Sequence, residues 1–220
     1  MKTLAIVTVM LLTIFSCKCQ AAEVVFSNTL ASDFVTKSGS VIGEGPVNQS
    51  LFGISSDGFY ASVWNNYDFP ERRATETDLI VGKRLSFGKV SADLSFQRRI
   101  EKGDDQNLLE LGLKWKGVVN GSVLWSRLVT DGLDSGKDLF YFEIGKPISF
   151  GRLVLTPSVS SAYLSNYYAA TGWAHQTVRL GTDYALSKNV SVFTQVSYQD
   201  GLMRNKPDLL YASGGVKLLF

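Results

Sequence analysis

The 220 residues carry 22 Lys and Arg against 20 Asp and Glu, and are 45% hydrophobic, 12% aromatic and 19% charged. A balance this close to neutral excludes an electrostatic nucleic-acid binder, which needs a basic excess on one face. Twenty Gly against 5 Pro, with many aromatics, lean toward strands and turns in a length that one domain fills.

The chain opens with Lys2, the uncharged apolar run Ala5 to Phe15 and the small-residue stretch "CQAAE". The run is shorter than the roughly 20 residues a membrane helix needs. Residues 1–21 therefore read as a secretory signal, cleaved after Ala21 or Ala22, and residues 22–220 as one domain. "IFSCK" at 14–18 also loosely resembles a lipoprotein processing site with Cys17 as the lipidated residue. Cleavage removes Lys2, Lys18, Cys17 and Cys19, leaving 20 bases against 20 acids and no thiol for disulfides or Cys–metal sites.

From residue 23 onward the chain alternates. In "VSADLSFQRRIE", Val90, Ala92, Leu94, Phe96 and Ile100 share one parity, and Ser91, Asp93, Ser95, Gln97, Arg99 and Glu101 the other. That period of two marks a strand with one apolar and one polar face. Twelve such segments follow: about 23–35, 46–54, 59–67, 76–86, 90–101, 107–116, 119–130, 138–146, 153–164, 175–185, 190–200 and 207–220. Most run nine to fourteen residues, whereas a soluble strand is typically about 5–6 and a tilted transmembrane strand about 9–11.

The connections alternate as well. "SSDG", "SFGK", "KGV", "PISFGR" and "ALSKN" are short; "TKSGSVIGEG", "YDFPERRAT", "EKGDDQ", "TDGLDSGK", "SNYYAATGWAH" and "DGLMRNKP" are longer and polar. An all-β, antiparallel transmembrane β-barrel of twelve strands has this asymmetry, with short periplasmic turns, longer extracellular loops and both ends on the periplasmic side. A β-sandwich or lipocalin-like barrel also alternates but turns its apolar face inward. Strand length and loop asymmetry favour the membrane barrel, hence the bacterial outer membrane with its lipid and lipopolysaccharide.

Parity assigns faces. The lumen set is Asp33, Asp78, Arg84, Asp93, Arg99, Glu110, Lys114, Glu143, Arg179, Asp183 and Lys217. Opposite charges across a bore set a local field for permeation of small polar solutes; the alternative is a wall of mutually paired ions that plugs or merely solvates the barrel. Pairing 90–101 with 107–116 places Leu94 opposite Leu113, Phe96 opposite Leu111, Ala92 opposite Trp115 and Asp93 opposite Lys114. Trp115, Tyr184 and Phe220 fall at the periplasmic rim, and Phe34, Tyr163 and Tyr198 at the outer one, as aromatic girdles. Arg98 and Arg127 break the lipid face near the extracellular rim, where a charge costs only about 0–1 kcal/mol. They are candidates to meet lipopolysaccharide phosphates, or to snorkel to water.

Catalysis finds little support. The one histidine, His175, closes the loop "SNYYAATGWAH"; there is no Gly-x-Ser-x-Gly, no second His for a metal pair and no phosphate-cradling Gly loop. No cofactor, metal or enzymatic activity is expected.

The stretch from Leu30 to Phe69 resembles the TorF-type putative porins of Gram-negative bacteria. It carries Ser32, Asp33, Phe34 and Val35, then Pro46 and Gln49, then Gly58, Phe59, Tyr60, Ala61, Trp64, Asn65 and Asn66 in that family's order; "ETDLIVG" (76–82) looks like its next strand. The family's Arg-Gly-x-Ser after the first strand is replaced here by "TKSGSVIGEG". The resemblance implies an outer-membrane channel without a defined substrate. The alternative is a non-conducting structural or surface-binding barrel that works through its loops.

The last segment sets Leu210, Ala212, Gly214, Val216, Leu218 and Phe220 toward lipid and closes against the first strand. Gly215-x-x-Leu218-x-Phe220 also resembles the C-terminal signal read by the bacterial barrel-assembly machinery; ordinary closing-strand packing accounts for the same residues.

Overall fold

Around the wall each stave pairs with the next one in the chain, and the last pairs with the first. The computed structural model describes residues 22–43, 45–101, 105–130, 136–204 and 206–220. The signal at residues 1–21 and Cys17 within it lie outside the described residues.

The strands are β1 (Glu23–Ala31), β2 (Phe34–Val35), β3 (Val41–Ile42), β4 (Val47–Ser56), β5 (Phe59–Asp68), β6 (Arg73–Phe87), β7 (Val90–Glu101), β8 (Gln106–Trp115), β9 (Asn120–Leu128), β10 (Asp138–Gly145), β11 (Ile148–Phe150), β12 (Leu153–Tyr167), β13 (Ala170–Ala185), β14 (Val190–Gly201) and β15 (Leu209–Leu219). β2 and β3 pair only with each other. β10 and β11 lie successively along β12 and count as one stave. Their break lies beside Pro157 of β12, which has no N–H to give and whose carbonyl accepts the Lys146 N–H at 3.1 Å. The remainder close into a twelve-stranded antiparallel barrel through β1–β15 and β10–β12.

The apolar face points outward. On β7, Leu94 and Phe96 are 53% and 42% exposed, while Ser95 and Gln97 between them are 6% exposed. A water-soluble barrel would reverse that order. With no water in a bilayer to satisfy backbone groups, a closed ladder of this kind is one of the two structures able to cross it. Lys83 interrupts the outer face, its ammonium 3.9 Å from the Phe59 ring centroid on the neighbouring strand.

Four expectations are corrected. β1 ends at Ala31 rather than 35, because the chain bends inward at Ser32 and Asp33. Phe34 consequently leaves the outer girdle: it is 8% exposed and packs its ring 5.4 Å from Trp64, which pairs with Asp78 on the inner face. "SNYYAATGWAH" is not a long loop; β12 and β13 continue through it to a two-residue turn at Tyr168 and Ala169, both at positive φ. The β7–β8 register is shifted by two: Leu94 faces Leu111, Ala92 faces Leu113, Phe96 faces Leu109 and Asp93 faces Gly112, so Lys114 meets Ser91 and not Asp93. A shift of two preserves every side chain's face, so parity alone does not distinguish the registers.

Candidate functional site

The connection after β1 folds into the bore at the end opposite the chain termini. Its turn is built locally: the Thr36 N–H donates to Ser40 O at 2.9 Å, the Gly39 N–H to Thr36 O at 2.9 Å and the Ser40 N–H to Thr36 Oγ1 at 3.1 Å. Gly39 sits at φ +77°, a left-handed position that suits glycine. Distant strands then hold this turn. His175 Nε2 donates to the Lys37 carbonyl at 3.0 Å, so Nε2 carries the hydrogen, and Nδ1 lies 3.0 Å from Thr177 Oγ1. Gln199 Nε2 donates to Gly39 O at 3.0 Å, and Lys206 Nζ to Ser40 Oγ. Lys37 Nζ reaches Glu110 Oε1 at 3.5 Å. Partial burial pulls the Lys206 ammonium below lysine's usual pKa. With Phe34 against Trp64 of β5, the hairpin touches β5, β8, β13 and β14, and so crosses the bore.

The facing wall is β6–β8. Arg99 Nε lies 3.0 Å from Glu76, 3.8 Å from Asp78 and 3.7 Å from Glu101. Gln97 Nε2 donates to Asp78 Oδ2 at 2.6 Å. The tip of the β12–β13 hairpin leans over this wall, the Tyr168 hydroxyl meeting Gln106 of β8 three staves away. Desolvation there raises the Tyr168 pKa above the usual tyrosine value. Under the tip, Leu108, Leu128, Leu139, Ala162, Leu164, Tyr167 and Ala174 form a buried apolar cluster inside the mouth. A cavity of about 570 Å³ remains between the β2–β3 hairpin, Trp64 and the carboxylate wall. A second, of about 680 Å³, opens toward the chain-termini end, lined by Glu23, Tyr60 and Arg84, and Leu51 borders both.

The register places Asp78, Arg84, Asp93, Arg99, Glu110, Lys114, Glu143, Arg179, Asp183 and Lys217 on the inward parity. Several meet each other: Arg84 Nε and Asp93 at 3.0 Å, with the Tyr60 hydroxyl also on Asp93, and Arg179 with Glu143 at 2.9 Å. Lys114 lies beside Ser91 and Ser122, Lys217 beside Ser27 and Ser191, and Asp183 beside Val154 and Phe193. Asp33 is off the barrel wall, in the bend after β1, accepting the Ser32 hydroxyl. Sequence reasoning missed Glu76 and Glu101, which share a parity with Asp78 and Arg99, and missed Lys37, Trp64 and Gln199. His175, read as a loop residue, is an inward, 3% exposed member of β13. Among the described residues no group of three or more His, Cys, Asp or Glu is placed to hold a metal ion.

Arg98 and Arg127 face outward near the loop end, each held by a carboxylate. Arg98 pairs with Asp105 at 2.7 Å, and Arg127 makes a two-point contact with Asp138, which also accepts the Trp125 indole N–H at 2.7 Å. At the other end, Phe220 and Val24 exchange both backbone hydrogen bonds, at 2.7 and 2.8 Å, and Leu218 pairs with Phe26. A Cβ on Gly215 would collide with the Asn28 carbonyl, so β1 and β15 close only around a glycine there.

The fold is that of solved porins. It aligns with the KdgM porin in complex with disordered oligogalacturonate at a TM-score of 0.62 and 10% identity, over 90% of this chain and 99% of that one. It aligns with a second structure of the KdgM porin at 0.60 and 11%, over 90% and 99%, and with the NanC porin at 0.52 and 11%, over 90% and 98%. No family model matches the sequence, and no curated protein matches it.

Proposed function

We propose that the protein is a porin-like channel of the bacterial outer membrane, exported by its N-terminal signal and passing small polar solutes. One observation carries this reading: a closed barrel with an apolar outside encloses a polar wall and two internal cavities, of about 570 and 680 Å³. The shared fold with the KdgM and NanC porins supports it. The longer connections then face outside the cell and the chain ends the periplasm. The TorF-type resemblance belongs to the same proposal: two of its motif residues, Phe34 and Trp64, pack against each other where the hairpin enters the bore.

Planar bilayer recording tests the reading. Discrete, reproducible conductance steps from barrel that migrates as a heat-modifiable band are expected. Silence from equally well-folded protein refutes the channel and returns the non-conducting, surface-binding barrel.

A further inference from the structure

We infer that the passage beside the β2–β3 hairpin selects cations, and that its solutes are small ammonium-bearing compounds rather than carboxylates. This rests on the channel reading above. The cavity of about 570 Å³ is bordered by four carboxylates, Glu76, Asp78, Glu101 and Glu110, and by two cations, Arg99 and Lys37. Arg99 lies within 4 Å of three of the four, so its charge is already committed. Counted formally, four carboxylates against two cations leave the wall net negative. Charge that lines a narrow passage sets the sign of the ions it passes.

Two further observations point to a ligand at this wall, and one of them to a ligand that donates hydrogen bonds. Ser126 is 1% exposed and its Oγ has no partner, yet it borders the cavity directly opposite Glu110 in the β8–β9 register. Asp78, 6% exposed, also borders it, and its Oδ1, 3.8 Å from Arg99 Nε, accepts no hydrogen bond. Buried polar atoms are normally satisfied, so each orphan marks a place for a partner; the Ser126 hydroxyl can accept or donate, while the Asp78 carboxylate oxygen takes only a donor. An ammonium carries three donors and no acceptor, and its charge matches the wall. Trp64, beside Asp78 in the β5–β6 register, and Phe34 add aromatic faces to the same cavity, suited to the apolar part of such a solute or to its charge. An oligouronate, the ligand named with the KdgM porin, has the wrong sign for this wall.

The Lys37–Glu110 pair provides the test, because its two members carry opposite charges and the same mechanical role. The full chain is refolded and recorded under a potassium chloride gradient, then under methylammonium chloride. The wild type is expected to favour the cation in both. Glu110→Gln lowers the cation preference and Lys37→Gln raises it, each by about threefold, the effect of one unit charge about 6 Å from the path in a water-like dielectric. A reversal potential that favours chloride, or none at all, overturns the inference while leaving the channel intact. So does a shift of both variants in the same direction, which is what mere release of the hairpin produces. Absence of any conductance step overturns the channel reading and this one with it.

Discussion

The inward hairpin makes a quantitative demand at Gly39. Its φ of +77° is a conformation that costs a residue bearing a Cβ about 1–2 kcal/mol. A Cβ there would also lie 2.5 Å from His175 Cδ2, so the imidazole must move and loosen its bond to the Lys37 carbonyl, a further loss of about 0.5–1.5 kcal/mol. Gly39→Ala should therefore weaken docking of the hairpin by about 1.5–3.5 kcal/mol, a factor of about 13–400 in the undocked population. The barrel seam is untouched, so the heat-modifiable migration should be unchanged.

Ser38 reports on this equilibrium without reliance on conductance. It is 8% exposed in the turn of the docked hairpin, and residues 22–220 contain no cysteine, so Ser38→Cys introduces a single thiol. Labelling of that thiol by a small water-soluble reagent should be slow in the otherwise wild-type chain and about tenfold or more faster with Gly39→Ala. Equal rates in the two backgrounds, or an introduced thiol that reacts as fast as a free peptide thiol in both, would refute the docked hairpin.

The other predictions concern the seam and the outer rim. Gly215→Ala drives a methyl into the Asn28 carbonyl and should abolish the heat-modifiable band, since β1 and β15 no longer close; a normal band would show that the seam tolerates a side chain. Deleting Phe220 removes two backbone hydrogen bonds to Val24, worth about 1–3 kcal/mol together, which detergent refolding should survive. Failed assembly in cells alongside normal refolding assigns Gly215, Leu218 and Phe220 to the assembly machinery's signal, and failure in both assigns them to packing. Arg98→Gln with Arg127→Gln should lower the lipopolysaccharide that copurifies; an unchanged amount would leave both guanidiniums to Asp105 and Asp138 alone.

Strand number and faces are legible in the sequence because they depend on parity, and a side chain's face is fixed by its own strand. Arg84 and Asp93 face inward whatever their strands pair with. Pair identity is another matter. The length of "EKGDDQ" suggests Lys114 opposite Asp93, but Asp93 is satisfied from β6 by Arg84 and from β5 by Tyr60. Those partners, nine and 33 residues away, compete with Lys114 on equal terms, and nothing local to the β7–β8 hairpin records the competition.

The hairpin shows the same limit more sharply. "TKSGS" spells a turn, since Thr36 and Gly39 supply its chemistry, but a turn says nothing about which way it leans. The direction is set by four groups far along the chain: Glu110, His175, Gln199 and Lys206. Each is ordinary where it stands, and His175 in particular reads as the tail of a loop because Tyr168 and Ala169 adopt a tight turn without glycine or asparagine. Phe34 is the one local clue. A ring that keeps the outer parity of β1 belongs in lipid, yet it stands three residues past the strand's end, after Ser32 and Asp33, which favour bends. Bulk on the lipid parity just beyond a polar bend is thus a signal that the chain has turned over, and that its next segment lies in the bore. In a barrel of twelve staves such a segment divides the bore, leaving a cavity between itself and the charged wall, and it lies in the connection that parity does not read.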